Sequence, residues 1–164
     1  MEVYISIGSN LGDRLKNIQT AVRGISKLSE DQSVRVSSIY ETEPWGKRDQ
    51  PFFLNCVASA RIDQEPEELL GALQRIEDDL GRDRNVSRWD QRVIDLDILL
   101  CGYLAYKTGQ LEIPHPELLN RRFVLVPLAE INSEFVIPGK DISIRKALVR
   151  CPDNSSVVLF PEKI

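Results

Sequence analysis

The chain has 164 residues, 42% of them hydrophobic and 28% charged, the profile of one globular domain rather than two. At that length folding buries roughly 70% of the unfolded chain's surface, so neither a disulfide nor a structural metal is needed to complete a core. Lys and Arg number 21 against 25 Asp and Glu, and the net charge of −4 speaks against a dedicated nucleic-acid or membrane-surface binder.

The N-terminus runs into Val3-Tyr4-Ile5-Ser6-Ile7, which reads as a strand over 3–7 with no basic leader before it. No apolar stretch approaches the roughly 20 residues that span a bilayer, so a cytoplasmic protein without membrane contact is expected. Gly8-Ser9-Asn10-Leu11-Gly12-Asp13 has the residues of a turn, and Asp13 is placed to cap a helix carrying Leu15, Ile18, Val22, Ile25 and Leu28. Two stretches, 34–42 and 52–62, alternate apolar with polar residues and are expected to pair antiparallel across a long connecting loop. Pro66 in a first turn, Glu67 and Glu68 beside it, Leu69, Leu73, Ile76 and Leu80 on one face and Gly81 beyond them mark a helix over 66–80. After an arginine-rich run comes Val93-Ile94-Asp95-Leu96-Asp97-Ile98-Leu99-Leu100-Cys101, apolar and β-branched enough to be read as a central strand.

Strand, helix, strand, strand, helix, strand is the split βαβ order of an α+β protein, a ferredoxin-like βαββαβ sandwich. Beyond it the sequence predicts a turn at Ile113-Pro114-His115-Pro116, a helix leading through Phe123 to Ile131, an extended piece at 135–138 and an amphipathic stretch at 144–149. These are additional C-terminal helices and short strands, and residues 1–164 are expected to form one domain.

The most informative feature is Asp95 and Asp97 inside an apolar strand. Side chains two apart on a strand share a face, so the two carboxylates converge while Ile94, Leu96 and Ile98 are left to be buried on the other side. Like charges so placed repel, and a divalent cation relieves them. Magnesium suits such a site because it takes oxygen ligands, commonly one or two carboxylates together with substrate phosphates. On the D-x-D pattern alone, two solvated aspartates on an open sheet face are an equal reading. The preceding run Arg82-Asp83-Arg84-Asn85-Val86-Ser87-Arg88-Trp89-Asp90-Gln91-Arg92 tips the balance, since guanidinium groups bind phosphate oxygens bidentately and neutralise their charge. An arginine cluster facing two metal-binding acids suggests a polyphosphate site.

The other candidates are weaker on their own. Cys56, Cys101 and Cys151 are odd in number, far apart and lack a C-x-x-C pair, and with His115 as the sole histidine no zinc constellation or Ser-His-Asp relay is expected. The 8–13 turn lacks the G-x-x-x-x-G-K-[ST] pattern of a phosphate-cradling loop; it reads first as a strand-to-helix turn, with Asn10 as a residue able to line a pocket. Asn55, on the side of its strand opposite Leu54 and Cys56, has the donors and acceptor to read a polar heterocycle or to bond across the sheet. Gln74 and Glu77 lie three apart on the second helix, which is most simply a solvated stripe. Phe53 and Phe123 read as core residues, and His115 as a phosphate contact rather than a general base.

Taken together, Ile7-Gly8-Ser9-Asn10-Leu11, Asp49-Gln50-Pro51, Leu54-Asn55, Arg88-Trp89 with Arg92, Asp95-Leu96-Asp97-Ile98, Ile113-Pro114-His115, Asn120-Arg121 and Phe123 form an ordered series. Over nearly its whole length the chain resembles the 6-hydroxymethyl-7,8-dihydropterin pyrophosphokinase family. The resemblance implies a ferredoxin-like core and transfer of diphosphate from ATP to the pterin's hydroxymethyl group, releasing AMP, in folate biosynthesis. It implies two Mg²⁺ ions on Asp95 and Asp97, with Arg82 and Arg92 as further catalytic residues. ATP would be held by Gln74, Glu77, Arg84, Trp89, Arg92, Ile98, His115 and Arg121, with Arg82 and Trp89 on a closing loop. The pterin would lie between Phe53 and Phe123, against Gly8, Asn55 and Asp95 and the backbone near Thr42 and Trp45. A monomer is expected.

The chain departs from the family at several points. Asp90-Gln91 stands where small residues are common, Phe53 where tyrosine is frequent, and Glu43 where proline is frequent. Gln110, Glu112 and Pro116 stand where basic, hydroxyl and aromatic residues often serve ATP. Two other readings share the same elements. A ferredoxin-like RNA-binding module would need an aromatic RNP motif and a broad basic face, neither of which the sequence has. A two-metal phosphohydrolase would use the same acids with water as acceptor.

Overall fold

Strand β1 (Glu2–Ser9) is buried on both faces from Val3 onward, and that decides the layering. Val3, Ile5 and Ile7 point into one core, together with Ile18 and Ile25 of helix α1 (Arg14–Ser26) and Leu69 and Leu73 of α2 (Pro66–Asp79). Tyr4 points the other way, into a second core with Val57 of β4 (Phe53–Arg61) and Val124, Leu125 and Leu128 of α3 (Arg122–Asn132). A strand sandwiched between two helical layers has no solvent face to keep polar, which is why its apolar run is nearly continuous. The computed structural model describes residues 1–44, 49–83 and 91–164.

Local chemistry starts and stops the helices where expected. The Asp13 carboxylate accepts from Lys16 N at 3.1 Å and caps α1, Pro66 occupies the first turn of α2, and Gly81 at φ +84° ends it in a conformation costly for any other residue. The two helices approach closely at Gly24, where a Cβ would stand 3.0 Å from the Ile76 side chain.

The sheet order is β10-β3-β4-β1-β5, with β2 (Arg35–Val36) also on β4, where β3 is Tyr40–Thr42, β5 Asp95–Cys101 and β10 Val157–Leu159. This is the antiparallel order of the ferredoxin-like sandwich, built from β1, α1, β2–β3, β4, α2 and β5. Two short hairpins, β6 (Tyr106–Lys107) with β7 (Glu112–Ile113) and β8 (Val136–Ile137) with β9 (Ile142–Ser143), a 3₁₀ turn at Leu118–Asn120 and helix α4 (Ile144–Val149) complete the C-terminal part. No helix among the described residues is long and apolar enough to cross a membrane.

Two expectations are corrected. The 93–101 strand is not central: β5 pairs with β1 alone and takes the sheet edge, while β4 and β1 are interior. Its apolarity comes from burial on both faces, not from flanking strands. The single strand expected over 34–42 is split, because Ser37 turns its hydroxyl to accept from Val57 N at 3.0 Å between the two short pieces. Beyond the elements expected from sequence, β10 extends the sheet past β3.

Candidate active site

The pleat of β1 lays out the site. Gly8 stands opposite Asn55 on β4 and Asp95 on β5, and Ser6 stands opposite Val57 and Asp97. These residues share the face that α3 covers farther along, where Tyr4 and Val57 pack beneath it. Small residues at 6 and 8 leave an open cleft at that end. A Cβ on Gly8 would lie 2.8 Å from Asn55 Oδ1, so only glycine permits this approach.

Asp95 and Asp97 do face the cleft together, while Leu96 and Ile98 are buried in the α1–α2 core. Arg82 pairs with Asp95 Oδ1 at 2.7 Å and Arg92 with Oδ2 at 2.7 Å. Arg121 stands 3.5 Å and His115 Nε2 4.0 Å from Asp97 Oδ2. Burial, with the negative charge of Asp95 second, pushes the Asp97 carboxyl up to about 6, against the pull of Arg121, Arg92 and Arg82.

His115 is aimed by an irregularity in β5. The register with β1 shifts between Tyr4 and Ile5, so Leu99 has no partner of its own there and its carbonyl accepts from His115 N at 2.9 Å. The ring's Nδ1 accepts from Glu117 N at 3.1 Å, which keeps the proton on Nε2, the nitrogen facing Asp97.

On the opposite wall Asn55 Nδ2 donates to Thr42 Oγ1 at 2.6 Å, both residues being buried, and this turns Oδ1 toward Gly8. Phe53 from β4 and Phe123 from the first turn of α3 line the cleft as well, and the Arg121 guanidinium lies 5.9 Å from the Phe123 ring centroid. The core reading of the two phenylalanines is therefore corrected: both are part-exposed cleft walls.

Ten predicted site residues line one cleft: Gly8, Thr42, Phe53, Asn55, Arg92, Asp95, Asp97, His115, Arg121 and Phe123. Arg82 joins through its pairing with Asp95. Gln74 and Glu77 are not the solvated stripe their spacing suggests. Gln74 is exposed, but Glu77 is 2% exposed, accepts from Leu96 N at 2.8 Å and pairs with Arg82. Neither lines the cleft, nor does the Ile98 side chain. Trp45, Arg84 and Trp89 lie outside the described residues. Ser6, Glu43 and Gln50 line the cleft without having been singled out as contacts, though Gln50 stood in Asp49-Gln50-Pro51 and Glu43 among the departures from the family. Of the departures, Glu112 is paired with Lys107 at 2.8 Å across β6–β7, and Gln110 and Pro116 are exposed.

A cleft lined by two carboxylates, several cationic groups, a buried amide and two aromatic rings suits a polyphosphate beside a flat heterocycle. Comparison with known proteins agrees. The family described as 7,8-dihydro-6-hydroxymethylpterin-pyrophosphokinase (HPPK) matches residues 4–133. The 2-amino-4-hydroxy-6-hydroxymethyldihydropteridine pyrophosphokinase of Haemophilus influenzae is 41% identical over 158 residues, 96% of this chain and 98% of that protein. Its namesake in Bacillus subtilis is 47% identical over 128 residues, 78% and 76% of the two chains. A crystal structure of Plasmodium falciparum HPPK-DHPS superposes with a TM-score of 0.69 at 15% identity, covering 91% of this chain and 44% of that one. This chain thus spans less than half of that solved protein and nearly all of the Haemophilus relative, and the low identity to the former shows the fold alone. The chain belongs to the 6-hydroxymethyl-7,8-dihydropterin pyrophosphokinase family, the ATP-dependent enzymes that make the pterin diphosphate for folate biosynthesis.

Proposed function

We propose that this cleft transfers diphosphate from ATP to 6-hydroxymethyl-7,8-dihydropterin, with Asp95 and Asp97 as magnesium ligands and the pterin between Phe53 and Phe123. The observation that carries the reading is the sharing of one cleft by Asp95, Asp97, Arg92, Arg121 and His115 with Phe53, Asn55 and Phe123. In the transfer the hydroxymethyl oxygen bonds to the β-phosphorus and gives up its proton to solvent, the bond from that phosphorus to the α,β-bridging oxygen breaks, and AMP leaves. Such chemistry asks for alignment and charge neutralisation rather than a covalent side-chain intermediate.

The donor set fits magnesium. Two carboxylates on one face, one of them pushed up by burial and then by its neighbour's charge, gain from a hard cation. Among the described residues no third acidic, histidine or cysteine ligand joins them, which suits an ion whose other ligands are phosphate oxygens and water. When bound, magnesium supplies charge neutralisation and orientation of the polyphosphate. Arg82 and Arg92, which pair with Asp95, have phosphate oxygens as alternative partners. His115 offers its Nε2–H to the same oxygens. Arg84 and Trp89 are proposed on the family resemblance alone, as are Gln74 and Ile98 toward ATP and Trp45 toward the pterin, while Glu77 acts on the ATP side through Arg82, which it pairs with. Asn55 Oδ1 reads a ring N–H of the pterin, and the aromatic rings exclude water, which would otherwise compete as acceptor. One chain furnishes all these groups, which supports a monomer as the acting unit.

The test is chromatography of nucleotides after incubation with ATP and Mg²⁺, with and without the pterin. AMP that appears only with pterin, matched by pterin diphosphate and abolished by EDTA, is the expected result. Phosphate release independent of pterin would overturn the reading in favour of a hydrolase.

A further inference from the structure

Asn10 is 2% exposed and every polar atom of its side chain is engaged with a segment that enters the cleft. Its Oδ1 accepts from Arg92 N at 2.8 Å, and its own backbone N–H donates to Arg92 O at 3.1 Å. Its Nδ2 donates to Gln50 Oε1 at 3.0 Å and to Pro51 O at 3.1 Å. One carboxamide therefore bonds a chain segment on the nucleotide side of the cleft, where Arg92 pairs with Asp95, and another on the pterin side, where Gln50 and Phe53 are lining residues. Its neighbours reinforce the first tie: Ser9 Oγ donates to Val93 O at 2.6 Å, and Asn17 Nδ2 donates to the same carbonyl at 3.1 Å.

We infer that Asn10 is a positioning residue that sets the spacing between the nucleotide and pterin halves of the cleft by holding Arg92 and residues 50–51 at a single point. The inference rests on the proposed reaction. Donor and acceptor divide the two functions cleanly: the oxygen serves Arg92 and the nitrogen serves Gln50 and Pro51. Asn10→Asp keeps the acceptor for Arg92 N but turns a carboxylate oxygen against Pro51 O, which has no proton to offer it, and forces the Gln50 amide to reverse, so it loosens the pterin side alone. Asn10→Ala releases both.

The experiment measures KM for each substrate, kcat and Tm for wild type and both variants, with calorimetric titration of the pterin alone as a check on binding. For Asn10→Asp the expected result is a pterin KM and Kd raised about tenfold with the ATP KM within about threefold of wild type. Asn10→Ala should raise both KM values by about threefold or more, and it carries the test if the aspartate variant does not fold. A purely structural asparagine would lower Tm and the active fraction, reducing kcat with both KM values unchanged. That result, or equal rises of both KM values in Asn10→Asp, overturns the proposal. Transfer by the wild-type chain in the same assay tests the functional reading separately.

Discussion

Removing the Glu77 carboxylate should cost more stability than any surface change on α2. It is 2% exposed, accepts from Leu96 N at 2.8 Å and pairs with Arg82, whose side chain is itself only 17% exposed. In Glu77→Ala the Leu96 N–H, lying between the two acids on β5, becomes a buried donor without this partner, a cost of about 1–3 kcal/mol. Arg82 retains Asp95 at 2.7 Å, so only part of the roughly 3–5 kcal/mol expected for breaking a buried ion pair is added. The sum is about 3–4 kcal/mol, a large share of the roughly 5–15 kcal/mol by which a domain is stable. At about 2–4 °C per kcal/mol for a chain of this size, Tm should fall by about 10 °C. Glu77→Gln keeps an oxygen for Leu96 N and loses only the charge assistance, about 1 kcal/mol and about 3 °C. Scanning calorimetry with urea unfolding measures both variants, and turnover is read in the same preparations. If Glu77→Ala lies within about 1 kcal/mol of wild type, or Glu77→Gln is equally damaged, the buried role is wrong. A raised ATP KM with unchanged Tm would instead return Glu77 to direct contact with nucleotide.

Three further outcomes follow from the same geometry. Asp97→Ala should lower turnover by at least about 100-fold while the far-ultraviolet circular dichroism and cooperative unfolding persist, because its carboxylate faces the cleft rather than a core; near-normal turnover would refute the metal assignment. Gly8→Ala, with its Cβ only 2.8 Å from Asn55 Oδ1, should displace that amide and weaken pterin binding by about tenfold with the ATP KM little changed, read by calorimetry and kinetics. Hydrogen bonds from Ser33 and Ser29 hold the Asp31 carboxyl down at about 2 against an ordinary 3.8. A folded-state value below the unfolded one gives stability that is complete above the unfolded value and lost as pH falls through the folded one. The stability difference between wild type and Asp31→Asn should therefore be constant above about pH 4 and shrink toward pH 2; a difference independent of pH would be inconsistent with this.

What the sequence determined by itself is local. The two-residue period of a strand puts Asp95 and Asp97 on one face, Asp13 and Pro66 begin helices, and Gly81 ends one, since each depends on neighbours a few residues away. The order of elements likewise limited the fold to a ferredoxin-like sandwich. Motif resemblance supplied most of the residues that line the cleft, though not the reasons they meet. Those belong to the tertiary structure. That β5 is an edge strand, that Leu99 breaks register and aims His115, and that α3 covers only part of the sheet so that Arg121 and Phe123 border an opening, all depend on pairings between distant segments. Glu77 and Asn10 show the limit most clearly. As letters they are a helix-surface acid and a turn amide, and nothing nearby says otherwise. Only when β5 comes to lie against α2, and the backbones at 50–51 and 92 meet the end of β1, are their polar atoms taken from water and given partners they must keep.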